Sequence, residues 1–216
     1  MDKMRAAALA IAVTAWGAVG LQSALSTLAP MTGNGGLPGL IGLFGYFTIW
    51  SNVLVALVMT AIARHGLDAG WLSRRGTVAA LSVYIIIVGA VYNLILASQW
   101  HPVGLHKLGD TLLHTVTPLA VPLFWLALVP HGGLRAGQAL AWLGFPAGYL
   151  GFAMARGALT GKYAYPFLDL TKLDGATVTR NIVLLFALFV VLALAVIALD
   201  RGLGRLSRQT RIQPGE

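Results

Sequence analysis

Six long apolar runs, separated by shorter polar stretches, dominate the pattern of hydrophobic and polar positions along the chain. Each run is close to the roughly 20 residues that an α-helix needs to cross the hydrocarbon core of a bilayer. None shows the segments of about ten alternating residues that are typical of membrane β-barrels. We therefore predict an all-α fold with six transmembrane helices in one bundle. The predicted helices cover about residues 5–28, 40–63, 77–98, 111–129, 136–156 and 178–199.

The composition supports a membrane protein with one transmembrane domain, residues 1–200, followed by a short, frayed basic tail, residues 201–216. Of the 216 residues, 57% are hydrophobic and only 10% are charged, whereas soluble domains carry about 25% charged residues. The absence of cysteine excludes disulfides and thiolate chemistry. The first apolar run exceeds the 7–15 residues of a signal-peptide core, so we predict a retained helix. Cleavage after Ala29 is the alternative.

The net charge of +8 comes from basic residues in short loops and at the C-terminus. This distribution is typical of a protein that contacts anionic lipid headgroups, and it argues against nucleic-acid binding. If the N-terminus is cytoplasmic, ten of the 15 Lys and Arg residues lie on that side and five on the other. We therefore predict that both termini are cytoplasmic.

The first candidate for chemistry is the sequence YFTIWSN, residues 46–52, within the second apolar run. A threonine in a transmembrane helix usually bonds its own backbone carbonyl or lines a helix contact. Here Thr48, Ser51 and Asn52 share one helix face at membrane depth. Three hydrogen-bonding groups in lipid favour a functional site over three separate structural roles.

The second candidate is His114, because the other four histidines fall in predicted loops or at helix ends. A histidine can act as a general base near neutral pH. Asp110 precedes it by four residues and either orients the imidazole or caps the fourth helix, with the cap slightly favoured. In the predicted orientation Thr48 and His114 lie about 12 and 6 Å below the same membrane surface. We expect them to meet and form a hydrolytic site.

Other function classes fit the pattern less well. Haem or metal binding by His101, His106 and His114 would require ligands on facing helices, and those helices contain no intramembrane histidine. We therefore predict no cofactor and no metal. The sequence has no G-x-S-x-G elbow, Walker loop or H-E-x-x-H pair. A non-enzymatic lipid-binding or transport protein of the same fold remains the alternative.

Three motifs together resemble the androgen-induced six-helix membrane proteins, whose characterised members are threonine-dependent hydrolases of fatty acid esters of hydroxy fatty acids. YFTIWSN is similar to the motif on the family's second helix, and DTLLHTVTP resembles the histidine motif on its fourth helix. GKYAYPFLDL, residues 161–170, resembles the Gly-x-x-x-Tyr-Pro-Phe-Leu-acidic loop of that family. The order of the motifs and the helix count agree, while the shorter loops and the Ala-, Gly- and Arg-rich composition suggest a bacterial member.

The resemblance implies that Thr48 is the nucleophile and His114 the base of an intramembrane ester hydrolase. Its substrate would be a lipid or fatty ester, and its location the bacterial cytoplasmic membrane. The hydrogen bond to the developing oxyanion would come from one of three side chains between which the sequence does not choose, namely Ser51, Asn52 and Asn93. The aromatic loop would line the substrate cleft through Tyr165, Pro166 and Phe167.

Overall fold

The computed structural model describes residues 2–31 and 35–212. Within these ranges the chain is helical and contains no strand, in agreement with the predicted all-α fold. The α-helices are α1 (Lys3–Leu28), α2 (Gly36–Leu43), α3 (Phe47–His65), α4 (Arg75–Val91), α5 (Gly104–Thr111), α6 (Thr117–Leu128), α7 (Gln138–Trp142), α8 (Gly144–Thr160) and α9 (Gly175–Ile212).

Five helical segments of the described chain are long and apolar enough to cross a membrane, so the protein is a multi-pass membrane protein. The segments are Lys3–Leu28, Phe47–His65, Arg75–Gln99, Gly104–Leu128 and Gly175–Ser207. The predicted fifth helix is divided between α7 and α8. Each of these two helices is shorter than any of the five candidate spans.

The second apolar run is also divided, and the prediction of one helix over residues 40–63 is wrong. The chain breaks between α2 and α3, where a Cβ atom at Gly45 would lie 2.8 Å from the Arg156 guanidinium and 2.9 Å from the Gly42 carbonyl oxygen. Only glycine fits this position. The Tyr149 hydroxyl donates to the Gly45 carbonyl at 2.8 Å, which satisfies an acceptor exposed by the break. Thr48 consequently lies in the first turn of α3.

The fourth apolar run forms a helix that begins at Gly104, earlier than predicted, and contains a wide π-helical turn, Leu112–Val116, between α5 and α6. Pro118 follows this turn and has no N–H group, so a regular helix could not continue its hydrogen bonds through it. A second π-helical turn, Tyr92–Leu96, follows α4. Single π-helical turns inside α-helices are frequent at functional sites.

The bundle packs small residues of α1 against α3, with α4 at the centre and α9 at its side. Large apolar side chains elsewhere on these helices point outward, as expected of a lipid-facing surface. The last helix continues to Ile212, so residues 201–212, predicted as a frayed tail, extend α9. The remaining tail residues, 213–216, lie outside the described chain.

Candidate active site

Two cavities meet beside the first turn of α3. The larger has a volume of about 510 Å³ and polar as well as apolar walls, and Thr48 and His114 both line it. The smaller, of about 50 Å³, is almost entirely apolar. Thr48 lines both cavities and therefore stands at their junction, as do Tyr92, Leu96 and Tyr165.

His114 is held by the carboxylate that precedes it by one helical turn. Its Nδ1 lies 3.0 Å from Oδ1 of Asp110 and 3.1 Å from the Asp110 carbonyl oxygen. Asp110 does not cap the helix, which begins six residues earlier, so the predicted cap is wrong. The contact with Nδ1 is compatible with the alternative, an orienting role, which stays a prediction. With its proton on Nδ1, the imidazole offers Nε2 as the basic nitrogen. No group of the described chain bonds to Nε2, which leaves it available to a ligand.

Tyr92 is a part of this site that the sequence did not reveal. Its ring stacks on the His114 imidazole, with 3.6 Å between the ring centroids and 8° between the planes. Its hydroxyl also interacts with the Asp110 carboxylate. Both rings project from π-helical turns, so the widened backbone brings them face to face. The only hint in the sequence was a tyrosine beside Asn93 near the end of an apolar run.

Asn52 joins the backbone of Thr48 to the turn that carries His114. Its Nδ2 donates to the carbonyl oxygen of Thr48 at 2.9 Å and to that of Leu113 at 3.3 Å. Its Oδ1 accepts from the Thr117 hydroxyl at 2.6 Å. Both amide hydrogens of this fully buried side chain are therefore engaged, and Asn52 is not free to stabilise an oxyanion.

Asn93 has a similar structural role. Its Nδ2 donates to the carbonyl oxygens of Gly89 at 2.8 Å and His114 at 3.1 Å. The His114 carbonyl lacks its usual helical donor because Pro118 stands four residues later. Asn93 therefore replaces that donor and fixes the turn below the imidazole.

Ser51 lies away from both cavities. It is fully buried, and its hydroxyl is the only buried side-chain polar atom without a hydrogen-bond partner in the described part of the chain. Of the three predicted oxyanion donors, Ser51 is thus outside the site, while Asn52 and Asn93 are occupied by backbone carbonyls.

Tyr165 lies against the first turn of α3, beside Thr48. Its hydroxyl accepts from the Phe47 N–H at 3.0 Å and interacts with the hydroxyl and backbone amide of Thr48. Burial raises the pKa of Tyr165 to about 12, while the Thr48 hydroxyl and the two amides act in the opposite direction. Tyr165 therefore caps the first turn of α3 as a neutral phenol.

The other two predicted cleft residues are placed differently. Phe167 stacks on Tyr165 with 5.2 Å between ring centroids and lines the apolar cavity. Pro166 starts a short 3₁₀ turn, is exposed, and lines neither cavity. The turn directs Phe167 inward and leaves Pro166 on the outside.

No hydrogen bond joins Thr48 directly to His114. Catalytic hydrogen bonds are often long in unliganded enzymes and tighten when substrate binds. Among the described residues, no three His, Asp or Glu side chains cluster as a metal site would require. His106, weighed as a ligand from the sequence, instead contacts the Ala29 carbonyl oxygen at 2.9 Å.

No protein-family model, no curated protein and no solved structure matches the chain. The resemblance of the three motifs therefore stays a prediction, and the function rests on the geometry of the site.

Proposed function

We propose that the protein is an intramembrane hydrolase of lipid esters, with Thr48 as nucleophile, His114 as general base and Asp110 as the group that orients the histidine. The observation that carries the proposal is the shared cavity. The Thr48 hydroxyl and the His114–Asp110 pair line one space of about 510 Å³, and Thr48 also borders the apolar cavity.

The reaction follows the chemistry of an activated hydroxyl nucleophile. Nε2 of His114 takes the proton of the Thr48 hydroxyl, whose oxygen attacks the ester carbonyl carbon. The resulting oxyanion collapses, the bond to the alcohol oxygen breaks, and the alcohol leaves with the proton from His114. A water molecule, deprotonated by His114, then attacks the acyl-threonine. Its collapse releases the fatty acid and returns the proton to Thr48.

The oxyanion donors that this geometry supports differ from those predicted. The Tyr165 hydroxyl lies beside Thr48 at the first turn of α3, and the positive end of the helix dipole favours negative charge there. Donors aimed at the developing oxyanion commonly supply the largest part of such catalysis. Tyr165 therefore takes the role that the sequence leaves open between Ser51, Asn52 and Asn93.

The substrate is proposed to be a lipid ester of the fatty acid–hydroxy fatty acid type, as the motif resemblance implies. The apolar cavity, walled by aromatic and aliphatic side chains such as Phe186 and Phe189, suits an acyl chain. The ester carbonyl would then lie at Thr48, where the two cavities meet. The alcohol portion would extend into the larger cavity.

The proposal includes six membrane spans, with both termini in the cytoplasm of a bacterial cell. Helices α7 and α8 together cover residues 138–160, which corresponds to about 34 Å of helix, enough for a core about 30 Å thick. An even number of spans is required to place both the N-terminal and C-terminal basic residues inside. The two-to-one excess of Lys and Arg supports that orientation.

The test uses detergent-purified protein and a fluorophosphonate probe, which labels activated hydroxyl nucleophiles. We expect labelling of the wild type and loss of labelling in Thr48→Ala and His114→Ala. Thr60→Ala serves as the matched control, because Thr60 lies on the same helix and borders neither cavity. A folded wild type that remains unlabelled would contradict the hydrolase proposal.

One observation favours a second function, lipid binding without catalysis. The Thr48 hydroxyl contacts Tyr165 and is not bonded to His114, as in a pocket that only holds a polar headgroup. The two functions differ in the behaviour of Thr48→Ala. A hydrolase variant binds the ester and does not turn it over, whereas a binding protein shows no turnover even as wild type.

A further inference from the structure

Arg156 lies in the wall of the larger cavity, on α8. It is half-buried, and its Nη1 donates to the Lys162 carbonyl oxygen at 3.1 Å. The guanidinium also packs against the backbone at Gly45, where any larger residue would displace it. Because Gly45 precedes Thr48 by three residues, Arg156 is fixed close to the candidate nucleophile.

Arg156 has no carboxylate partner in the described chain. Each aspartate there is engaged elsewhere: Asp2 and Asp174 cap helices, Asp68 pairs with Arg75, Asp110 with His114, Asp169 with Lys172 and Asp200 with His131. A partly buried charge without a counter-charge is costly. Its presence in a cavity wall is therefore a sign of an anionic ligand.

The other charged side chains of the cavity wall also favour an anionic ligand. Lys162 lines the same cavity as Arg156. Among the described residues, the only acidic side chain in its wall is that of Asp110, whose carboxylate is engaged by His114 and Tyr92. The cavity is thus positively charged around Arg156, and a planar guanidinium is well suited to bind a carboxylate or phosphate through two hydrogen bonds.

We propose that Arg156 is a specificity-determining residue that binds an anionic group on the alcohol portion of the ester substrate. This inference rests on the proposed hydrolase function and defines the orientation of the substrate. The acyl chain occupies the apolar cavity, the ester lies at Thr48, and the anionic alcohol portion lies in the larger cavity at Arg156. The enzyme consequently prefers esters with a free carboxylate over the same esters in neutral form.

The experiment compares two substrates that differ in one charge: a palmitate ester of a hydroxystearic acid with a free carboxylate, and its methyl ester. In Arg156→Gln we expect kcat/KM to fall about 10- to 100-fold more for the free acid than for the methyl ester, which is the loss of one charge-assisted pair. Arg156→Lys should restore part of the preference. Arg180→Gln is the control, since Arg180 is exposed on α9 and borders neither cavity.

Two results would overturn the inference. Equal losses for both substrates would assign Arg156 a structural role. A preference that disappears when vesicles of anionic lipid are replaced by neutral phosphatidylcholine, and that does not depend on Arg156, would assign the charge selectivity to lipid headgroups.

Direct binding to Thr48→Ala separates this inference from the proposed function. Tighter binding of the free acid than of the methyl ester, lost in the double variant with Arg156→Gln, supports the anion site even if the wild type hydrolyses neither ester. Equal binding of the two compounds contradicts it.

Discussion

At the scale of single residues, the position of Asp110 decides the chemistry that His114 can perform. The 3.0 Å contact with Nδ1 fixes both the tautomer and the orientation of the ring, in the way that the carboxylate of a serine-protease triad does. The stacked Tyr92 ring prevents rotation out of that plane. In the proposed mechanism Asp110 is therefore a positioning residue whose effect passes through His114.

We predict that Asp110→Asn lowers kcat by about 10²- to 10⁴-fold, because an amide can stabilise the wrong tautomer of His114. Turnover of a lipid ester in detergent micelles measures the effect. Asp68→Asn is the control, since Asp68 forms an exposed ion pair with Arg75 far from the cavities. An Asp110→Asn enzyme with wild-type turnover would show that His114 does not depend on this carboxylate.

The hydroxyl of Tyr165 gives a second prediction at this scale. We expect Tyr165→Phe to reduce kcat about 10²- to 10³-fold through loss of an oxyanion donor. Because the pKa of Tyr165 is about 12, the phenol keeps its proton at neutral pH, and the ratio of wild-type to variant rates should be constant from about pH 6 to 9.

Tyr163→Phe provides the control for Tyr165→Phe, because Tyr163 lies in the same loop and its hydroxyl makes no hydrogen bond in the described chain. A loss of activity in both variants would indicate a general disturbance of the loop. A ratio that changes with pH over this range would contradict a neutral phenol in the catalytic step.

At the scale of elements, the π-helical turn before Pro118 brings His114 to the cavity. The proline removes a backbone donor, and the unpaired carbonyls of Leu113 and His114 are satisfied by the side chains of Asn52 and Asn93. Unpaired carbonyl groups in lipid would cost several kcal/mol each. The turn is therefore stable only because polar side chains of two neighbouring helices support it.

Adjacent polar positions on α3 should consequently respond in opposite ways to substitution. We predict that Asn52→Ala lowers the free energy of unfolding by about 1–3 kcal/mol, since it removes the 2.6 Å acceptor of the buried Thr117 hydroxyl and a donor to the Leu113 carbonyl. Ser51→Ala removes a buried hydroxyl that has no partner and should change the free energy of unfolding by less than about 0.5 kcal/mol or increase it. Equilibrium unfolding in mixed micelles measures both values, and equal destabilisation would contradict this account.

At the scale of the whole molecule, the candidate site lies where several separate helices converge. Residues of α3, the two π-helical turns, α8 and the loop before α9 all border the two cavities. Only if α7 and α8 together cross the membrane do the end of α8 and the loop before α9 reach the same side as the first turn of α3. The status of α7 and α8 as a sixth span is therefore a functional question as well as a topological one.

The absence of cysteine allows this question to be tested with single introduced cysteines. We predict that a membrane-impermeant maleimide labels Leu170→Cys in intact cells and labels Ala69→Cys only after permeabilisation. Both positions are exposed in the loops. If α8 did not cross the membrane, Leu170 would lie on the cytoplasmic side with Ala69, and both would require permeabilisation.

Much of the fold was predictable because a long apolar segment in lipid must satisfy its own backbone hydrogen bonds, which favours an α-helix. The apolar runs identified every long helix, but not the break at Gly45 or the turn at Leu112–Val116. Hydropathy is continuous through both places, and the chain deviates where Gly45 packs against Arg156 and where Pro118 lacks an N–H donor. These contacts come from residues that are distant in the sequence or act through backbone geometry.

The sequence by itself determined that this is an all-helical membrane protein and that Thr48, Asp110 and His114 are unusual at their depth, because composition and spacing express the cost of polar groups in lipid. Only the tertiary structure decided what each polar group does. It placed Tyr92 on His114, Tyr165 on Thr48, and the asparagines on backbone carbonyls. A hydrogen-bond partner is chosen by proximity in three dimensions, and residue type limits only which partners are possible.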